Sequence, residues 1–256
     1  MGNYLYCKRP AAEMPYHIDS LEINIYTIEE LCFFIGNFLP LSDETVINPS
    51  LADWLDHECR LPGIADLLRS LRGSEDELQE SLKVILRSGN YYLPVELTKL
   101  FARIDDIKNM DELSRSKARA DMLLKHRRYK AAASIYEHIL DTTLTSEQKE
   151  LRGRICYNLG CANAKLFRIT KARNCFEKAH ELIGGEKTAD ACLAAAYMEG
   201  GEALLNAEAE SIGADSLDRD RILRTARSVE QPEITKDPDL LVREWIRDYR
   251  DSTGMS

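Results

Sequence analysis

From Thr27 onward, apolar residues recur every three or four positions, the spacing that gives an α-helix one buried face. Thr27-x-x-Glu30 has the form of a capping box, and Leu31, Phe34, Ile35 and Phe38 follow until Pro40 stops the run. Leu51, Trp54 and Leu55 mark a short helix that Ser50 is placed to cap. Pro62-Gly63 separates it from a segment carrying Ile64, Leu67, Leu68 and Leu71. Ser74-x-x-Glu77 repeats the capping-box pattern ahead of Leu78, Leu82, Ile85 and Leu86, with Gly89 as the stop. Pro94 suits the first turn of a helix holding Leu97, Leu100, Phe101 and Ile104. Helix after helix through short connections predicts antiparallel neighbours stacked side by side. Before Thr27 the pattern differs. Tyr4-Leu5-Tyr6-Cys7 and Ile23-Asn24-Ile25-Tyr26 are rich in β-branched and aromatic residues, punctuated by Pro10, Pro15 and Asp19-Ser20. Two or three short strands are expected within residues 1–26.

Beyond residue 110 the helical pattern becomes a repeat. In residues 153–186, Leu159-Gly160 form a large-small pair, Ala172, Phe176 and Ala179 a small-aromatic-small face, and Gly184-Gly185 an end signal. Residues 113–146 match them at a step of forty: Ala120 takes the small position, Tyr129 opens the second helix, and Ala132 with Tyr136 form the small-aromatic pair. A six-residue extension over the usual period of about 34 fits the polar turn from Asp141 to Glu150. A third, degenerate register covers 187–213; Leu193, Ala194 and Tyr197 fit its first helix, whereas Asn206 and Glu210 stand where small and aromatic residues belong. Another helix is expected from Asp215 to Val229, then a Pro-bearing linker from Gln231 to Pro238. A last helix, Asp239 to Asp251, would carry the apolar stripe Leu241, Trp245 and Tyr249.

These hairpins resemble tetratricopeptide repeats, which are paired antiparallel helices that stack into a solenoid. Some other α-helical hairpin array is the plainer alternative. The chain as a whole also resembles tetratricopeptide-bearing proteins of anaerobic Firmicutes, through its Tyr-rich opening and the segment from Ile25 to Leu31. That resemblance implies a bacterial, cytoplasmic protein. The expected fold is mainly all-α: a helical module at 1–110 with short strands at 1–26, a tetratricopeptide-like solenoid at 111–213, and capping helices at 214–256.

The resemblance implies a concave surface lined by the first helix of each repeat. In the register above, Ser114, Lys117, Asp121 and Lys125 line it from the first repeat, and Arg154, Tyr157, Asn158, Cys161 and Lys165 from the second. Thr188, Ala191, Ala195 and Met198 would follow from the third. Family members that grip a C-terminal carboxylate use Lys and Asn on these faces, positions matched here by Lys117 and Asn158. Asp121 replaces a further Asn and the third repeat offers Ala191 and Cys192, so that clamp is incomplete. The segment from Arg115 to Lys130, including Arg127 and Arg128, holds seven basic residues against Asp121 alone. It reads either as a solvated helix face paired to acidic neighbours or as a site for an acidic partner segment.

Composition sets the remaining limits. Net charge is −9 over 256 residues, which opposes binding to nucleic acid or anionic membrane. No apolar run is long enough to span a bilayer, and the opening Met-Gly-Asn lacks both a secretory h-region and the Ser or Thr at position 6 that myristoylation favours. Seven cysteines with no C-x-x-C spacing read as free thiols in a reducing compartment. No metal, cofactor or catalytic motif is present; the five histidines are scattered, and His57-x-Cys59 lacks a second ligand pair. The expected function is therefore a non-catalytic scaffold for a protein or peptide partner, with the C-terminal stripe or an open end of the stack available for a homodimer. The alternative is a peptide-sensing transcription regulator with a helix-turn-helix at 51–71. Residues 41–90 hold ten acids and five bases, a net of −5, where DNA reading wants positive charge.

Overall fold

The computed structural model describes residues 9–142, 148–228 and 242–247. Among them the chain is mainly all-α, a succession of helical hairpins entered through one small antiparallel sheet. Strand β1 (Tyr16–Ile18) pairs with β2 (Ile23–Ile25), Tyr16 opposite Ile25. Both strands lie within the expected residues 1–26; β1 is not singled out by pattern because three residues are too few to show an alternation, and Tyr4–Cys7 falls outside the described residues. Tyr16 is held by its surroundings: its hydroxyl donates to the Val46 carbonyl at 2.9 Å and its ring lies 5.7 Å from that of Trp54.

Helix α1 (Ile28–Asn37) begins in a complete capping box, with Glu30 N–H bonded to Thr27 Oγ1 at 3.1 Å and Thr27 N–H bonded to the Glu30 carboxylate at 3.3 Å. Four helices follow: α2 (Pro49–His57), α3 (Pro62–Leu71), α4 (Glu77–Ser88) and α5 (Pro94–Asn109). Three of their starts differ from expectation. Asn48 caps α2, accepting from Leu51 N–H at 3.2 Å, while Ser50 sits inside the first turn and bonds to Asn48. Pro62-Gly63 opens α3 instead of preceding it, since a proline needs no amide partner at the first helical position. Ser74 caps nothing: Gly73 N–H takes the Glu77 carboxylate at 2.7 Å, and α4 starts only at Glu77.

Helix α6 (Glu112–Lys125) and α7 (Tyr129–Thr142) form a hairpin, as do α8 (Lys149–Lys165) and α9 (Ile169–Ile183). Their three-residue turns, 126–128 and 166–168, close identically: Arg128 N–H bonds to the Leu123 carbonyl and Arg168 N–H to the Asn163 carbonyl, each at 2.9 Å. Both turns pass through a positive φ, 62° at Arg127 and 57° at Phe167. A forty-residue translation therefore maps one turn onto the other, hydrogen bond for hydrogen bond. Helix α10 (Glu186–Ile212) breaks at Gly200-Gly201, where φ 65° and ψ −153° at Gly201 suit glycine alone. The chain doubles back there, because the single guanidinium of Arg173 reaches Glu199 and Glu208, one on each side of the break. Leu193 likewise shares a buried cluster with Leu205 and Ala209. Helix α11 (Ser216–Ser228) docks on α10 through Arg221, which bonds to Glu186 and Asp190. The linker 231–238 and the residues Leu241 and Tyr249 lie outside the described residues; within the helical stretch 242–247, Trp245 is exposed.

The principal core is continuous from Ala12 to Ala162, spanning the boundary between the helical module and the repeats. Phe38 stacks edge-on to His126 at 4.7 Å, and Arg119 pairs with Asp43 across the same seam. Smaller clusters hold α9 to α10 and the two halves of α10 to each other. No helix among the described residues is long and apolar enough to cross a membrane.

Candidate functional site

The first helices of the hairpins, α6, α8 and the leading half of α10, lie in a row. Three of the expected binding residues meet there, on each other. Lys117 Nζ bonds to Asp121 Oδ2 at 2.6 Å, and Asn158 Nδ2 to Asp121 Oδ1 at 3.0 Å. The Tyr136 hydroxyl, fully buried, donates to Asp121 Oδ1. Burial, and then the Asp121 carboxylate, push the Tyr136 hydroxyl well above its usual pKa, so it remains a proton donor. Lys117, Asp121 and Asn158 thus form a network tying α6 to α7 and α8. They are therefore engaged with one another, and a peptide carboxylate would have to compete with Asp121 for Lys117.

Tyr157 and Arg154 occupy the same row with more freedom. The Tyr157 ring packs 5.5 Å from Phe176, and Lys187 of α10 lies over it at 4.6 Å from the centroid. Desolvation, then Cys161, raise the Tyr157 hydroxyl to about 12. Arg154 has a side chain 65% exposed and, among the described residues, pairs only with Glu150, one turn back on its own helix. Ala191 and Cys161 line the same small cluster, and Met198 is exposed near the end of the row. This stretch is the apolar and cationic part of the row, with Arg154 and Met198 exposed.

The remaining expected residues, Lys125, Arg127, Arg128 and Lys165, lie elsewhere, at the turn edge of the stack. Arg127 and Arg128 line a groove of about 540 Å3 with Tyr129, Lys130 and Leu166, closed on the far side by Asp19, Ser20 and Glu22. Arg128 pairs with Glu22, whose carboxyl it holds below the usual range through that hydrogen bond. Arg127, Lys125 and Lys130 make no ion pair among the described residues. Phe167, Arg168 and Lys171 share this edge and were not singled out by sequence. The forty-residue register contained the signal, since it sets Lys165 on Lys125 and Arg168 on Arg128.

Three further arrangements bear on chemistry. Arg69, in α3, the second helix of the expected helix-turn-helix, is held by Asp53, Asp56 and Asp66 at 2.9, 2.8 and 3.1 Å. Those carboxylates raise its pKa and would compete with any phosphate. Cys32, Cys59, Cys156, Cys161, Cys175 and Cys192 are free thiols, and burial raises every one, Cys32 and Cys192 to about 12. Thiols so protonated are poor nucleophiles and poor metal ligands. No group of three or more His, Cys, Asp or Glu side chains placed to hold a metal occurs among the described residues. No family model matches the chain, and neither does any curated protein or solved structure.

Proposed function

We propose that the protein is a tetratricopeptide-type scaffold without catalytic activity, which binds a partner protein or peptide along the row formed by α6, α8 and the first half of α10. The observation that carries this reading is the repetition itself. Ala120 and Tyr136 are fully buried at the positions where Gly160 and Phe176 meet forty residues later, and the two turns share a positive φ at Arg127 and Phe167. Rigid repeats of this kind present side chains at low ordering cost, which favours recognition of an extended or helical segment. Tyr157, Lys187 and Arg154 supply apolar area and positive charge for a partner with acidic groups. A cytoplasmic setting accords with protonated, unpaired thiols, and recognition needs neither cofactor nor metal.

The test is affinity capture from the native host with wild-type protein and with a Tyr157→Ala, Arg154→Glu variant. Asn158 is left intact, because its substitution would disturb the Asp121 network. A partner retained by the wild type and lost by a variant of unchanged melting temperature supports the reading. Retention by both would move the binding surface away from this row.

A further inference from the structure

Phe167 is the most exposed large apolar residue among those described, at 84%, and its φ of 57° lies where an aromatic side chain is rarely found. The turn itself asks for little there. The equivalent position in the preceding hairpin carries Arg127, also exposed, and the break in α10 carries Gly201. No ring or cation–π contact among the described residues engages Phe167, and asparagine or glycine would hold the same backbone with less strain.

What surrounds Phe167 is charged. Lys165, Arg168 and Lys171 are exposed and make no ion pair among the described residues, and the same holds for Lys125, Arg127 and Lys130 on the neighbouring turn. The two turns are joined physically, since Leu166 lines the groove of about 540 Å3 together with Arg127, Arg128 and Lys130. The N-terminus of α9 opens onto this edge with no side-chain cap, adding unbonded amides and the positive end of a helix dipole. On a chain of net charge −9, this edge is a local reversal of sign.

We infer that the turn edge is a second docking surface, separate from the row of first helices, and that its occupant is an acidic peptide segment of a partner with an aromatic or aliphatic anchor for Phe167. Charge complementarity argues for a peptide over a nucleic acid. Asp19 and Glu22 form the far wall of the groove and would repel a continuous phosphate backbone, whereas a peptide can place neutral or basic residues against them. A single exposed aromatic also falls short of the successive stacking platforms that single strands use. The carboxylates would meet Lys165, Arg168 and Arg127, while the anchor covers Phe167 and Leu166.

The probe is a short fluorescein-labelled peptide of Asp and Glu with one central Trp, titrated by anisotropy against the full chain. Wild type should bind with an affinity that falls steeply with salt. Phe167→Asn should weaken binding by about tenfold or more while leaving the melting temperature unchanged or higher, so lost folding cannot account for the loss. A Lys165→Glu, Arg168→Glu variant should abolish binding, and Arg154→Glu on the row should leave it intact. That last arm separates the two surfaces: the edge can bind its peptide even if the row captures nothing. The inference is overturned if the peptide does not bind, if Phe167→Asn binds it equally well, or if oligo-uridine or phosphatidylserine vesicles bind more tightly at the same salt.

Discussion

Gly160 stands where α8 crosses α9 so closely that a Cβ there would lie 2.5 Å from the Phe176 ring. Large and small residues at a helix crossing fix the interaxial distance, so this pair sets the closeness of the second hairpin. Gly160→Ala is expected to cost about 1–3 kcal/mol by overpacking, with Phe176→Leu in the same chain recovering part of the loss; chemical denaturation of both variants checks this. A second residue-level expectation concerns Glu208, which is 5% exposed and faces Arg173 and Glu177. Desolvation, and then the Glu177 carboxylate, raise its pKa above the ordinary 4.5. In the window above that value the folded chain holds a proton that the unfolded chain has released, so stability from this group falls as pH rises. Glu208→Gln removes that dependence. Its melting temperature should gain on the wild type as pH rises above the ordinary carboxylate range, whereas a difference that does not change with pH there would contradict the assignment.

Some elements were legible in the sequence and others were not, for local reasons that can be named. Thr27-x-x-Glu30 and Ser74-x-x-Glu77 are the same pattern, yet only the first forms a capping box. At Ser74 the turn through Gly73, with φ 77°, offers its own amide to Glu77, and the carboxylate is spent there. The hairpin register was legible because small and aromatic crossings leave a period in the sequence. The fate of Asp121 was not, since spacing places it on a face without showing that Tyr136 and Asn158 converge on it. That network makes a prediction at the scale of three helices. Tyr136→Phe should destabilise the chain by about 1–2 kcal/mol, and combining it with Asn158→Ala should cost less than the sum of the two, because both donors serve one carboxylate oxygen. Additive costs in the double-mutant cycle would mean that the donors act independently.

At the scale of the molecule, the hairpins read as a unit of their own, but the packing joins them to what precedes them. The buried cluster that includes Ala120, Leu123 and Tyr136 also includes Leu31, Ile35 and Leu55 from the first hundred residues. The seam is reinforced by Phe38 against His126 and by the pairs Arg119–Asp43 and Arg128–Glu22. Periodicity reports the buried face of a helix and is silent on which helix covers it, so the sequence placed the module beside the repeats without showing which residues join them. A solenoid needs about three repeats and covered ends to stand alone. Here the third hairpin lacks an aromatic crossing, with Asn206 and Glu210 at the positions concerned, and the first leans on α1 and its flanking turns. A fragment starting at residue 111 would therefore keep its helices but bare Leu123 and its neighbours to water. It should give a helical far-ultraviolet spectrum, bind a hydrophobic dye and unfold broadly, while the full chain unfolds in a sharper transition. A fragment that unfolds sharply without binding dye would show instead that the hairpins own a sufficient core, and that the first hundred residues serve recognition more than support.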